Sequence, residues 1–589
     1  MQVYRAQHRQ EEPGRLLAAI HDDLTHLAPR HAGAHDRVVR LLIALGELEA
    51  GVADSLHAEA DAPHPVTAAL RHASVAAGHL LWHSWHGQHE ALSAWASRVH
   101  GALVTLEAAT LPRTVVTGVP EGYAYYGLFP ETYLCAAVRC ARALRMEHGV
   151  CVGIRSIGTS LSAVVSAALE ELGVQVLSLT VRPRGHPFDR RLRLTPALEA
   201  LLRDHAAEPF LVVDEGPGLS GSSFAGTARA LSELGVSDDR IVLLPSWRTD
   251  GQSLRSGDAR ARWHRHRQFS STFEEVWVET GRLADLAPGS SLSDLSAGKW
   301  RSLLLHDEAR YPPVQRQHER RKLLARPRSG SRPGQPARLL RFAGLGAEGD
   351  ARLRRGRALA EAGFSPPVLE LRHGFLIQEF PAGTPGRAGQ ACPEELAATM
   401  ARYLAHLRRR HPAAVDAPSD LRELLAINVT EALGEPAAER LVARFPPADA
   451  PPQEAPTALD GRMLPHEWVR TDHGFFKADA LDHHDDHFYP GPQDIAWDVA
   501  GTCLEFGLDG DARRGFLARY VRESGDTAIA QRLPYHALAY LAFRLGYAGL
   551  AAESLGDDPD GARFRAETVR YRALLAAELV PDAPARWRA

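Results

Sequence analysis

Cysteine is scarce. The 589 residues hold five, Cys135, Cys140, Cys151, Cys392 and Cys503, in neither zinc-ligand spacing nor a disulfide framework. That fits a reducing cytoplasm, the expected location. Long apolar runs are missing too. The opening Met1-Gln-Val-Tyr-Arg5 has no apolar signal core, and no run reaches membrane-spanning length, so no membrane role is expected. Charge of one sign is also lacking. Lys+Arg 68 against Asp+Glu 72 leaves a net charge of −4, with no basic field to attract nucleic acid. There is no internal repeat and no Glu-x-x-His pair of a di-iron bundle. What remains, at 45% hydrophobic and 24% charged residues, is a chain of several globular domains whose expected partners are small molecules. The oligomeric state is unreadable.

The stretch that organises the chain is 210–224. Four apolar residues, Phe210 to Val213, run into Asp214 and Glu215; a Gly, Ser and Pro loop follows. Phe224, Ala228, Leu231 and Leu234 then recur at helical spacing. A buried strand, a loop and a helix form a phosphate site, because loop and helix N-terminal amides converge on an anion. Two carboxylates beside such a cradle suit vicinal hydroxyls, and hence a sugar phosphate. No Gly-Lys-Ser/Thr ending is present, which excludes an ATPase P-loop.

This stretch resembles the ribose-5-phosphate signature of the type I phosphoribosyltransferases, which bind phosphoribosyl pyrophosphate (PRPP). The resemblance implies that Asp214 and Glu215 hold the ribose hydroxyls, and that Gly218, Leu219, Ser220, Gly221, Ser222 and Ser223 wrap the 5-phosphate. One unit upstream, the expected strand Val150–Ile154 leads into Arg155-Ser-Ile-Gly-Thr-Ser160, and Val174 to Val181 forms the next strand. By position in that family, Arg155, Ser156, Gly158 and Thr159 take the pyrophosphate. The arginine-rich segment 182–193 follows, with Arg182 and Arg184 as candidates to close over the leaving diphosphate. With Arg240 to Pro245 as another strand, the succession implies a parallel sheet of at least four strands.

Residues 1–112 read as helices. His79, His83, His86 and His89 lie near one helical face, where i, i+4 spacing would allow a metal with Glu47, Asp54 or His57 on a neighbouring helix. The reading preferred is of surface and core-edge histidines. Residues 120–133 carry four tyrosines and a phenylalanine among Gly and Pro. They either stack on a planar ring or pack the lead-in to the next helix.

A Pro, Gly and arginine-rich boundary leads into a different pattern. Residues 337–342 form a strand, 350–362 a helix, and 363–380 a hairpin ending in an apolar-acidic hinge, followed by Ala382-Gly-Thr-Pro385. Helical stretches fill 394–445, and Gly491-Pro-Gln-Asp-Ile-Ala-Trp-Asp498 comes late. The pattern resembles aminoglycoside-phosphotransferase-like kinases, with residues 329–334 in the place of the nucleotide loop. The resemblance puts Arg341 where that family carries a lysine for ATP phosphates, and Asp472 at its His-x-Asp base. Lys477 replaces the expected asparagine, and a protonated lysine has no lone pair for Mg²⁺. Asp482, Asp485 or Asp486 would then bind the metal, with Asp485 preferred.

The expected fold is multidomain α and α/β: a helical region (1–112), a phosphoribosyltransferase-like parallel-sheet domain (113–285), a linker (286–314) and a kinase-like domain (315–589). The expected activity is Mg²⁺-dependent transfer of ribose from PRPP, the co-substrate, to a small heteroaromatic acceptor. Asp214 and Glu215 would act on the oxocarbenium ion, and the appended domain would use ATP on the product. The alternatives are a PRPP- or nucleotide-sensing protein without transferase activity, and a small-molecule or nucleoside kinase whose first domain only recognises a sugar phosphate.

Overall fold

Apolar strands with no alternation, Phe210–Val213 and Ile241–Leu244, lie at the centre of the first sheet, since a parallel strand covered on both faces has no polar side to show. The computed structural model describes the chain apart from residues 6, 29, 32, 306, 329–335, 413–418, 446–453, 482 and 580–589. Strand β1 (His8–Glu11) pairs antiparallel with β2 (Val115–Gly118). Between them run helices α1 (Pro13–Thr25), α2 (Ala34–Leu56), α3 (Pro65–Trp85) and α4 (His89–Glu107). After α5 (Pro130–Leu144) come β3 (His148–Ile154), α6 (Gly158–Glu171) and β4 (Gln175–Val181). A small hairpin, β5 (Arg184–His186) and β6 (Asp189–Arg191), leads through α7 (Pro196–Asp204) to β7 (Phe210–Val213). Then follow α8 (Ser222–Glu233), β8 (Ile241–Leu244), α9 (Gly257–Trp263) and β9 (Arg267–Gln268). The order β4-β3-β7-β8-β9 is parallel throughout, as the sequence led one to expect, and its five strands agree with the expectation of at least four.

The N-terminal helices are part of this unit. Helix α6 is buried from Gly158 to Leu169, with β3 on one side and α2 and α3 on the other. Glycines make those crossings close. A Cβ on Gly46 would lie 2.8 Å from Ser160 Cβ, and one on Gly78 would lie 2.6 Å from the Ala163 carbonyl oxygen. Any larger residue at Gly78 would push the helices apart.

The second sheet is antiparallel. It takes β10 (Ser290–Asp294), β11 (Lys322–Pro327) and β12 (Arg338–Phe342), with the short α10 (Trp300–Leu304) between β10 and β11. Helix α11 (Gly346–Glu361) precedes the hairpin β13 (Val368–Arg372) and β14 (Phe375–Glu379), and the order is β10-β11-β12-β14-β13. Residues 286–314, expected as a linker, thus supply an edge strand, because Ser290 to Asp294 pair with β11. The core ignores the boundary as well: Leu340, Phe342, Phe375 and Ile377 pack in one cluster with residues of α2, α3 and α6.

A helical lobe follows: β15 (Thr384–Pro385), α12 (Glu394–Arg410), α13 (Leu421–Leu433) and α14 (Glu435–Val442). Next come the hairpin β16 (Trp468–Thr471) and β17 (Gly474–Lys477), then α15 (Ala496–Glu505), α16 (Gly510–Ser524), α17 (Ile529–Leu555) and α18 (Pro559–Ala577). The chain's first residues tie back to it: Gln2 N donates to Asn428 Oδ1 at 2.5 Å, and Arg5 N to the His487 carbonyl at 2.8 Å. No helix among the described residues is long and apolar enough to cross a membrane.

Candidate functional site

Two places gather the ionisable side chains that line a crevice or a cavity suited to a small molecule. The first is the crevice between β3 and β7. Strand order reverses there, since β4 lies to one side of β3 and β7 to the other. Loops at the carboxyl ends of such strands flank a ready binding crevice. The β3 loop carries Arg155 to Ile157 and the β7 loop carries Asp214 to Gly221, with α6 and α8 starting immediately behind them. Gly218 and Gly221 adopt positive φ (59° and 68°), which turns the loop sharply into α8. Gly218 and Leu219 are exposed and Ser220 and Ser223 half-buried. Ser222 is buried, its Oγ donating to the Pro187 carbonyl at 2.6 Å. The first amides of α8 have no intrahelical acceptor and leave the loop electropositive.

Asp214 and Glu215 lead into this loop, with the Asp214 carboxylate against Gly158 and the Glu215 carboxylate against Gly122. Burial raises the Asp214 carboxyl to about 7, against amide donation from Glu215 and Gly158. Burial and the neighbouring Asp214 raise Glu215 to about 8, and the Gly122 amide partly offsets this. Three tyrosines of the segment, Tyr123, Tyr125 and Tyr133, are buried, and Tyr126 is exposed. Tyr133 Oη donates to the Asp214 carbonyl at 2.7 Å, and Tyr123 Oη lies 3.0 Å from Ser160 Oγ.

The arginines expected on the diphosphate are each paired with a carboxylate of the fold. Arg155 is buried, with Nε 2.9 Å from Asp54 Oδ1 and Nη2 2.5 Å from Asp61 Oδ1. Arg182 pairs with Asp54 through Nε at 3.0 Å and also through Nη2. Arg184 donates to the Ala58 carbonyl at 3.1 Å and pairs with Asp61 at 3.4 Å. Both aspartates lie at and just beyond the end of α2, so a helix from residues 1–112 supplies the counter-charges. Thr159 is fully buried and its carbonyl accepts from Arg71, so of the β3 loop Ser156 and Gly158 stay nearest the crevice.

The second place is a cavity of about 780 Å³ between the antiparallel sheet and the helical lobe. Arg341 on β12 enters it from one side; Arg462, Glu467, Asp479 and His483 enter from the other. Arg341 Nη2 meets Asp479 Oδ1 at 2.5 Å. Lys477 lies beneath, fully buried. Its Nζ is 2.8 Å from Glu467 Oε2 and 3.0 Å from Asp460 Oδ1, and it also donates to the Asp479 carbonyl. These neighbours hold the lysine above its usual range although burial lowers it, and Lys477 with His483 keeps Asp460 below the usual carboxylate range. Asp460 accepts from Tyr403 Oη at 2.6 Å, while its own amide donates to Asp498 at 2.7 Å. His483 Nδ1 faces the Asp460 carbonyl at 2.9 Å and must donate; Arg462 donates to Nε2. Burial lowers His466, on the same wall, to about 4.

The other expected residues fall elsewhere. Asp472, expected as the base, is exposed at the turn between β16 and β17. Asp485, expected on metal, accepts from Arg352 at 3.2 Å and is not part of the cavity wall, whereas Asp486 is. Asp482 and residues 329–334 lie outside the described residues. Pattern spacing points to none of Arg462, Glu467, Asp479 and His483, because the β16–β17 hairpin intervenes and spreads them along the chain. The one local signal is the lysine of an otherwise apolar strand followed at once by an acid, Lys477-Ala-Asp479.

Among curated proteins nothing matches the chain, and no family model does. Solved structures align with about half of it. A choline/ethanolamine kinase family protein from Mesorhizobium loti is 17% identical over 45% of this chain and 88% of its own, with a TM-score of 0.30. Choline kinase LicA from Streptococcus pneumoniae is 14% identical over 51% and 98%, with a TM-score of 0.32. A macrolide 2'-phosphotransferase from Brachybacterium faecium is 18% identical over 45% and 90%, with a TM-score of 0.28.

Proposed function

We propose that the chain is a nucleotide-dependent phosphotransferase acting on a small hydroxyl-bearing molecule, with the cavity between the lobes as its active site. The observation that carries this is the convergence of Arg341, Arg462, Glu467, Asp479 and His483 on one 780 Å³ space. Arg341 and Arg462 bind the nucleotide phosphates, as guanidinium forks bind phosphate oxygens. The acceptor hydroxyl oxygen attacks the terminal phosphorus, the bond to the bridging oxygen breaks, and the nucleoside diphosphate leaves. His483 Nε2 takes the hydroxyl proton once Arg462 turns from it to the phosphate.

The donor set fits Mg²⁺ in part. Ligand atoms of Glu467, Asp479 and His483 lie within 4.8 Å of one another, and the two carboxylates suit this oxygen-seeking ion while the imidazole does not. Glu467 and Asp479 would therefore hold it, and when bound it would neutralise phosphate charge. Lys477 sits as a fixed cation behind the same carboxylates.

The test is calorimetric titration of Mg-ATP into the full chain, followed by a hydroxyl-acceptor screen for ADP release. Saturable binding that weakens at least about tenfold in Arg341→Ala is expected, the loss of one charge-assisted contact. A folded wild type that binds no nucleotide overturns the reading.

A second reading concerns the crevice, favoured by the acidic pair between two helix N-termini at the strand-order reversal. The crevice recognises a sugar phosphate, PRPP being the probe. Arginines already neutralised by Asp54 and Asp61 argue for recognition ahead of diphosphate expulsion. Binding of PRPP lost in the Asp214→Asn, Glu215→Gln double variant is expected; binding unchanged in that variant would remove the crevice from consideration.

A further inference from the structure

Away from both sites, the crossing of α3 and α6 gathers two histidines and two glutamates. His79 and His83 stand one turn apart near the C-terminal end of α3, and Glu170 and Glu171 close α6. His79 Nδ1 lies 2.7 Å from Glu171 Oε1, and His79 Nε2 lies 2.7 Å from Glu170 Oε2. His83 Nε2 lies 3.0 Å from the same Glu171 oxygen, while its Nδ1 lies 2.6 Å from Gln88 Oε1. The histidine side chains are 4% and 11% exposed, while the two glutamates reach solvent.

The hydrogen bonds cannot all be made with neutral rings. Gln88 Oε1 only accepts, so His83 Nδ1 carries the proton and Nε2 turns a lone pair toward Glu171. If His79 gives its proton to Glu170, its Nδ1 also turns a lone pair toward that oxygen. Three acceptors then meet at one point. Two extra protons would settle this, and so would one divalent cation at that point.

We propose that this is a transition-metal site, with zinc as the fitting ion, held by His79 Nδ1, His83 Nε2 and Glu171. The three ligand atoms lie within 4.8 Å of one another. Zinc bonds of about 2.0–2.1 Å set a tetrahedral edge of ~3.4 Å, so Glu171 need withdraw by less than about 1 Å. The surroundings are those of ordered ligands: Glu170 and Gln88 fix the outer ring nitrogens, and Trp95 stacks on His79 with centroids 3.7 Å apart at 4°. Two helices also end here, which places their negative ends beside the cation. A water completes the fourth position, and the ion staples the N-terminal helices to α6 of the parallel-sheet unit. The sequence offered the i, i+4 histidines but paired them with Glu47, Asp54 or His57; α6 brings Glu171 instead.

The experiment strips the full chain with a chelator and titrates Co²⁺, then displaces it with Zn²⁺. One equivalent with the visible bands of a four-coordinate site is expected, lost in His83→Ala and in Glu171→Gln. Glu170→Gln should weaken binding about tenfold, as loss of an outer partner does. His483→Ala should leave it unchanged, which separates this site from the Glu467, Asp479 and His483 group. X-ray absorption of the zinc-loaded wild type, independent of any variant's folding, should show two imidazoles. A folded wild type without binding, binding that survives both ligand variants, or fewer than two imidazoles overturns the proposal.

Discussion

The crevice of the parallel sheet and the cavity between the lobes both set arginines against carboxylates, in different arrangements. In the crevice the carboxylates come from outside: Asp54 and Asp61, at the end of α2, neutralise Arg155, Arg182 and Arg184 before any ligand arrives. In the cavity the charges are layered. Lys477 settles Asp460 and Glu467 from below, and Arg341 meets Asp479 at the cavity wall. Both regions commit their arginines to ion pairs of the fold; in the cavity that pair stands at the wall of a 780 Å³ space, with a buried lysine behind it.

The layering breaks most severely at Lys477. Lys477→Met leaves Asp460, with a fully buried side chain, and Glu467 without their cation. Removing one partner of a buried pair costs about 3–5 kcal/mol, so a comparable loss of unfolding free energy is expected in denaturant titration. A loss below about 1 kcal/mol would mean that the ammonium is not the foundation of the cavity.

The crevice can be opened instead. Asp54→Asn removes the charge that engages Arg182 and one of the two carboxylates on Arg155, while Asp61 keeps Arg155 paired. Mg-PRPP or pyrophosphate should then bind about tenfold more tightly than to wild type, the worth of one charge-assisted contact. Equal affinity by calorimetry would show that these arginines never serve an anion.

The two carboxyls of the crevice make a pH signature. Their folded values, about 7 for Asp214 and about 8 for Glu215, lie above the ordinary carboxylate range because of burial. The folded state therefore holds protons that the unfolded chain has released. Their contribution to stability is complete below about pH 4 and is lost as pH rises through 7 to 8. Thermal melts should show that decline flattened in Asp214→Asn, Glu215→Gln. Ligand hydroxyls need the ionised acceptors, so sugar-phosphate binding should strengthen over the same window.

How much of this was legible depends on whether a site lies within one loop. The 210–224 segment carried strand, acidic pair, turn and helix in consecutive residues, and all four stand where the pattern put them. So do β3, β4, β8, β12 and α11, whose apolar runs and periodicities are local. The arginine partners were not legible, since Asp54 and Asp61 lie far from Arg155 along the chain and only the packing of α2 on α6 brings them near. The cavity was assembled across still longer separations, from β12 to the segment after β17. The resemblance favoured Asp472, although Lys477 stands where asparagine is expected, and Asp472 lies at the exposed turn of the hairpin.

That hairpin gives the smallest expected effect. Asp472 is exposed at a turn and is not among the residues of the cavity wall. Asp472→Ala should change unfolding free energy by no more than about 0.5 kcal/mol and leave ATP affinity and any phosphate transfer as in wild type. Asp479→Asn, just beyond the strand that Asp472 precedes, should lose transfer and weaken Mg-ATP binding, because it removes one of the two carboxylates proposed to hold Mg²⁺. The pair therefore tests position against pattern: two aspartates close in sequence, one on a solvent turn and one on a charged wall. If activity followed Asp472, the cavity would not be where the chemistry occurs, and the contrast between the two regions would have to be drawn again from the hairpin outward.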